Sequence, residues 1–186
     1  KDGKTNKEVF ARIPNLEILG CFNNNIKERF GNVVKRDNLA LNISNALLEG
    51  NVDFVQNKLG PLLRSFVSVR DTATRAPHEN YYHGFLNGIF TNCKDSLGEY
   101  HSNYESGDGY PDILFKDIDC RKVAIIELKS APIGSDLVTL SETALSQIEE
   151  KNYSEPFMSN RMIQSIYAYG IAFAGKNCFI TCKKLK

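Results

Sequence analysis

Two short apolar runs on either side of a polar loop constrain the fold more than any other feature of the chain. Ile113-Leu114-Phe115 and Val123-Ala124-Ile125-Ile126 are apolar and partly β-branched, and Lys116-Asp117-Ile118-Asp119-Cys120-Arg121-Lys122 lies between them. That is the pattern of an antiparallel hairpin. The midpoint between positions 112 and 127 falls between Asp119 and Cys120, inside the loop, so a hairpin turning there sets Asp112 opposite Glu127. Strand side chains alternate faces, so Glu127 and Lys129 point one way while Ile126 and Leu128 point the other. Asp112, Glu127 and Lys129 then share one patch at the end of a buried hairpin.

Convergent carboxylates can hold Mg²⁺, and a lysine beside them can handle a nucleophile or a phosphate. Phosphodiester cleavage is a chemistry that such a group supports. An Asp…Glu-x-Lys pattern is also common by chance, and by itself it reads better as a strand end carrying a surface Glu/Lys pair.

The flanking segments sharpen the choice. Ser102-Asn103-Tyr104-Glu105-Ser106-Gly107-Asp108-Gly109-Tyr110-Pro111-Asp112 leads into the hairpin, and Ala144 to Tyr153 follows it. Tyr169-Gly170-Ile171-Ala172-Phe173-Ala174-Gly175-Lys176 comes near the end, and Glu79-Asn80-Tyr81-Tyr82-His83-Gly84-Phe85-Leu86 stands upstream. In this order and spacing the chain resembles the PD-(D/E)XK nuclease superfamily. More narrowly, it resembles the C-terminal nuclease-like domain of bacterial AAA-ATPase-like proteins. The resemblance is strong over residues 76–180 and extends more weakly to Ile13-Pro14-Asn15-Leu16-Glu17.

The resemblance implies an α/β fold with a restriction-endonuclease-like mixed central sheet flanked by helices. It implies that Asp112 and Glu127 are metal ligands, with the Leu128 carbonyl beside them and Glu79 as a candidate outer ligand. Lys129 matches the catalytic lysine. Gln147 and Tyr153 match a Gln…Tyr helix motif thought to line the site and touch nucleic acid. Glu79 and His83 match acidic and histidine positions on the helix before the hairpin. Where the family pattern has an arginine and then a tyrosine or similar residue, this chain has Tyr110 and Pro111, so a phosphate contact by that arginine is missing.

Several of these residues also have plainer readings. Glu79 and His83 are one helical turn apart and share a face, but His83 with a satisfied ring nitrogen packed near Phe90 is an equally ordinary arrangement. Gln147 beside Ala144 and Ile148 sits at a core boundary, where an amide can contact a phosphate, a base or a backbone group. Tyr153 at a helix end reads as a packed aromatic. Lys176 lies in Gly175-Lys176-Asn177, a hairpin turn by composition, from which it reaches either nucleic acid or solvent.

The organisation changes near Arg75, giving a helical extension at 1–75 and a nuclease-like domain at 76–186. Residues 1–12 read as a polar tail, and Asn15 is a candidate N-cap. Leu16, Leu19, Phe22, Ile26 and Phe30 recur at helical spacing. Leu39, Ile43 and Leu47 mark a second helix. Phe54, Val55, Leu59, Leu62, Leu63 and Phe66 mark a third, with Gly60-Pro61 as a break or kink. Further on, the pattern predicts a helix over Glu79–Thr91, the two hairpin strands, a helix from near Leu137 to Tyr153 and another from near Asn160 to Tyr167. A final strand pair is expected around 171–173 and 178–180.

Composition sets outer limits. The 186 residues carry 42% hydrophobic residues and a net charge of +1, with a mean hydropathy of −0.31, values of a globular chain. No apolar run approaches a membrane span. The near-neutral charge neither supports nor excludes nucleic acid. Cys21, Cys93, Cys120, Cys178 and Cys182 are an odd number without zinc-ligand spacing, which suggests reduced thiols and a cytoplasmic setting. No Gly-x-x-x-x-Gly-Lys-Ser/Thr segment occurs, so ATPase chemistry would need an upstream region of the same protein.

The expectation is therefore a nuclease dependent on Mg²⁺ or Mn²⁺ that hydrolyses nucleic acid, with DNA favoured over RNA and no membrane partner. The alternative is a catalytically silent nuclease-like module that binds nucleic acid or protein, accessory to an ATPase.

Overall fold

The computed structural model describes residues 38–67, 78–103 and 105–186. The tail at 1–12, the Asn15 cap, the helix through Phe30 and the boundary at Arg75 lie outside these residues. Helices α1 (Leu39–Leu48), α2 (Val52–Phe66) and α3 (His78–Phe90) come first. A short 3-10 turn, Lys94–Ser96, leads into strands β1 (Glu99–Ser102), β2 (Ile113–Lys116) and β3 (Lys122–Ser130). Helices α4 (Leu137–Glu150) and α5 (Glu155–Met158) precede strands β4 (Ser165–Ala174) and β5 (Asn177–Lys184).

The five strands form one sheet in the order β1-β2-β3-β4-β5. β3 and β4 are parallel and the other three pairings are antiparallel. The parallel pair needs a crossover, and α4 with α5 supplies it. The expected mixed sheet with flanking helices is therefore present.

Each sheet face is covered. Ala124, Ile126, Leu128, Tyr169, Ile171 and Phe173 pack with α1, α2 and α3 in one core. Val123, Ile125, Ile166 and Ala168 pack with Ile148, Tyr153 and Phe157 in the other. Coverage on both sides explains why β3 and β4 read as continuous apolar runs rather than alternating ones. The helices ahead of α3 belong to the first core: the Tyr169 hydroxyl donates to the Leu47 carbonyl at 2.5 Å, and Gln56 donates to the Cys178 carbonyl at 2.7 Å.

Three expectations are corrected. Gly60-Pro61 does not break the third helix, because α2 continues through Pro61 to Phe66. An N-cap at Asn51, whose side chain accepts from the Phe54 amide at 3.1 Å, and burial of Val55, Leu59, Leu62 and Leu63 hold it together. The helix expected from Asn160 to Tyr167 is absent. The short α5 ends at Met158 and β4 begins at Ser165, because Ile166 and Ala168 face one core while Tyr167 and Tyr169 face the other. The final strands are also longer than expected, and an unexpected strand, β1, pairs with β2.

Candidate functional site

The hairpin register is the one read from the loop midpoint: Ile113 pairs with Ile126 and Leu114 with Ile125, so Asp112 follows opposite Glu127. The turn is closed by the Asp117 side chain, which accepts from the Arg121 and Lys122 amides at 2.6 and 2.7 Å. Asp112 stands one residue before β2. Its Oδ2 accepts from the Leu128 backbone N–H at 2.8 Å, so the carboxylate itself extends the pairing of the two strands.

Glu127 and Lys129 lie on the α4 side of β3, opposite to Ile126 and Leu128 in the other core. Lys129 Nζ is 3.3 Å from Glu127 Oε1 and 3.9 Å from Glu79 Oε1. Gln147 on α4 donates from Nε2 to Glu127 Oε1 at 2.5 Å and lies 3.4 Å from the Tyr153 hydroxyl. The structure thus gathers Asp112, Glu127, Lys129, Gln147 and Glu79 at the C-terminal end of β3. The Tyr153 ring is buried, at 2% exposure, beneath Gln147.

His83 reaches the same place by another route. Its Nε2 is 3.0 Å from the backbone carbonyl of Asp112, so this nitrogen is satisfied by the chain beside the site. Lys176 is turned elsewhere: it occupies the β4–β5 turn, as composition indicated, and its ammonium donates to the Arg64 carbonyl at 3.2 Å.

One determinant escaped the sequence reading. Gly170 pairs with Glu127 across β3 and β4. A Cβ there would stand 1.9 Å from the Ser141 carbonyl oxygen and 2.6 Å from the Leu145 nitrogen. Only glycine lets α4 press this close to the sheet, and that approach brings Gln147 to Glu127. The start of α4 is set by Asp136, whose carboxylate accepts from the Val138 and Thr139 amides at 3.0 and 3.4 Å. The loop ahead of Asp112 is stapled to the other end of α4: Ser106 donates to the Tyr153 carbonyl at 2.8 Å, and the Asp108 amide donates to the Lys151 carbonyl at 2.8 Å.

The electrostatics are those of carboxylates crowded out of water. Burial, with the neighbouring Asp112 charge second, pushes the Glu127 carboxyl up to about 7 against the pull of Lys129. Burial also raises Asp112, opposed by the Leu128 amide, His83 and Lys129. Glu79 is raised by burial too, against the pull of Lys129. Glu127 Oε2 is buried without a hydrogen-bond partner. Such an atom costs stability unless something cationic or protic meets it. A divalent cation meets that need, and hard carboxylate oxygens suit Mg²⁺ or Mn²⁺. Among the described residues no group of three or more His, Cys, Asp or Glu side chains is arranged to hold an ion. An ion here would rest on Asp112 and Glu127 with backbone and solvent oxygens, the sparse ligation usual for Mg²⁺.

A family model described as the PD-(D/E)XK nuclease superfamily matches residues 77–183, more than half of the chain and all of the sheet except the final residue of β5. No curated protein and no solved structure matches.

Proposed function

The chain belongs to the PD-(D/E)XK nuclease superfamily, and we propose that it is a divalent-metal-dependent nuclease that hydrolyses phosphodiester bonds of nucleic acid, with DNA favoured over RNA. The observation that carries this reading is the convergence of Asp112, Glu127 and Lys129 on one patch, with a buried, unpartnered carboxylate oxygen on Glu127. Asp112 and Glu127, with the Leu128 carbonyl, would hold Mg²⁺ or Mn²⁺. When bound, the ion would supply Lewis-acid polarisation of the scissile phosphate and acidify a water at neutral pH.

The protein's own groups do the rest. Lys129 orients the attacking water or pairs with the scissile phosphate, and its ammonium offsets charge that develops in the transition state. Gln147 fixes the Glu127 rotamer through Oε1, which leaves Oε2 for the ion. Tyr153, locked in the core, backs Gln147. Glu79 holds the other side of Lys129. The described cysteines are all free thiols, which fits a reducing compartment, and we place the protein in the cytoplasm.

The test is a cleavage assay on DNA and RNA with Mg²⁺ or Mn²⁺, against a Glu127→Ala control. Cutting by the parent that is lost in EDTA and in the variant supports the reading. A parent that binds nucleic acid without cutting it points instead to a silent binding module, accessory to an ATPase region.

A further inference from the structure

Helix α3 presents Glu79, His83 and Asn87 at successive four-residue steps, so they form one stripe along it. Glu79 meets Lys129. The other two meet the strand on the far side of Asp112. Asn87 Nδ2 donates to the Ser102 hydroxyl oxygen at 3.0 Å and lies 3.2 Å from His83 Nε2. Ser102 Oγ is also 3.0 Å from His83 Nε2. The Tyr100 hydroxyl donates to Asn87 Oδ1. The Asp112 carbonyl accepts from His83 and from the Asn103 N–H, each at 3.0 Å.

We propose that His83, Asn87, Ser102 and Tyr100 form a positioning relay that pins the backbone of Asp112 and so aims its carboxylate at the metal site. The inference rests on the reading of Asp112 as a metal ligand. None of the four residues is a ligand in this scheme. His83 acts through the Asp112 main chain, not on phosphate or metal.

The hydrogen inventory fixes how the relay runs. A carbonyl oxygen only accepts, so His83 Nε2 must carry its proton toward Asp112. Asn87 Nδ2 then cannot donate to that nitrogen, so its hydrogen goes to Ser102 Oγ, and Ser102 Oγ, 3.0 Å from His83 Nε2, joins the Asp112 carbonyl as a second acceptor of the Nε2–H. The Tyr100 hydroxyl settles which end of the Asn87 amide is oxygen, since it needs an acceptor there. Burial pushes the Tyr100 hydroxyl well above its ordinary range, so it remains a donor at any working pH. Its ring is held between Phe90 and Phe115, with centroids at 6.3 and 6.5 Å, so the chain of bonds starts from a rigid anchor. Asp112 is thereby held by three hydrogen bonds at two of its atoms. Asn103 and His83 grip its carbonyl, and Leu128 grips Oδ2. A carboxylate one residue beyond a strand end has no ladder of its own to orient it, and this relay supplies what the ladder lacks.

The test uses the full chain, with backbone amide exchange by NMR in metal-free buffer and Mn²⁺ titration by calorimetry. The Leu128 and Asn103 amides report on Asp112, and the Ile125 amide in mid-strand reports on the core. His83→Leu should speed exchange at Leu128 and Asn103 by about tenfold and leave Ile125 protected. It should weaken Mn²⁺ binding by about tenfold, as loss of an outer partner of a ligand does. His83→Gln keeps a donor near the Nε2 position and should stay within about threefold of the parent in both readouts. Tyr100→Phe removes one hydroxyl from a retained ring and should show the same pattern in weaker form.

If His83→Leu leaves Leu128 exchange and Mn²⁺ affinity at parent values, the relay is wrong. It is equally wrong if Leu128 and Ile125 loosen together in both His83 variants, since that is general destabilisation. If exchange changes as expected while the parent cuts no nucleic acid, the relay stands and the nuclease reading fails.

Discussion

Replacing Glu127 by glutamine should change how the stability of the metal-free protein responds to pH. Glu127 is 4% exposed. Its carboxyl is raised from 4.5 to about 7, mainly by burial and then by the Asp112 charge. An elevation of that size is worth about 3 kcal/mol between the protonated and ionised forms. Between these two values the folded protein holds a proton that the unfolded chain has released. Stability therefore falls as pH rises through that window and is level above it. Glutamine has no proton to lose. Its amide NH₂ would sit where Oε2 has no partner, at a cost of about 1–3 kcal/mol, but this displaces the variant's whole curve without giving it the slope.

The assay is urea unfolding in EDTA at about pH 5 and about pH 8, on either side of most of the window. Relative to Glu127→Gln, the parent should lose about 3 kcal/mol on going from the lower pH to the higher. Saturating Mn²⁺ should restore the parent at the higher pH, because the ion binds the folded carboxylates, and should do much less for the variant. Parallel stability curves for the two proteins would refute the argument, because Glu127 would then not be a desolvated acid waiting for a cation.

Asp112→Ala and Glu127→Ala should each abolish cleavage with the fold intact by circular dichroism, since each removes a proposed inner ligand; parent-like cutting by Glu127→Ala would falsify the assignment. Lys129→Ala should lower kcat by about a hundredfold or more, while Mn²⁺ affinity by calorimetry changes little, because an ammonium is not a metal ligand. Gly170→Ala should destabilise the chain by about 1–3 kcal/mol in urea melts, since its Cβ would overlap the Ser141 carbonyl, and should reduce activity by separating Gln147 from Glu127. Gln147→Ala should keep the fold and impair cleavage more than it impairs Mn²⁺ binding.

How far the chain could be read in advance varies with how local each signal is. The hairpin was legible because two apolar runs and one polar loop leave a single sensible turning point, and the observed pairing of Ile113 with Ile126 follows from it. Glu127 and Lys129 sharing a face needed only the two-residue strand period. β1 was not legible. Glu99-Tyr100-His101-Ser102 has no apolar run, because an edge strand is half solvated and is recruited by pairing with β2. The start of β4 was misread because Ile163, Ile166 and Tyr167 fall at helix-like spacing, while burial on both faces hides the strand period. The approach of α4 could not be read at all, since a glycine announces itself only when the helix that needs the space is known. The same limit applies to His83. Its spacing from Glu79 and Asn87 is visible in the sequence, but which atom it serves depends on where β1 ends and where the Asp112 carbonyl points. The residues of the proposed metal patch are thus legible through local period and register. The residues that aim them lie on a different helix and an edge strand, and only the tertiary fold brings those two elements together.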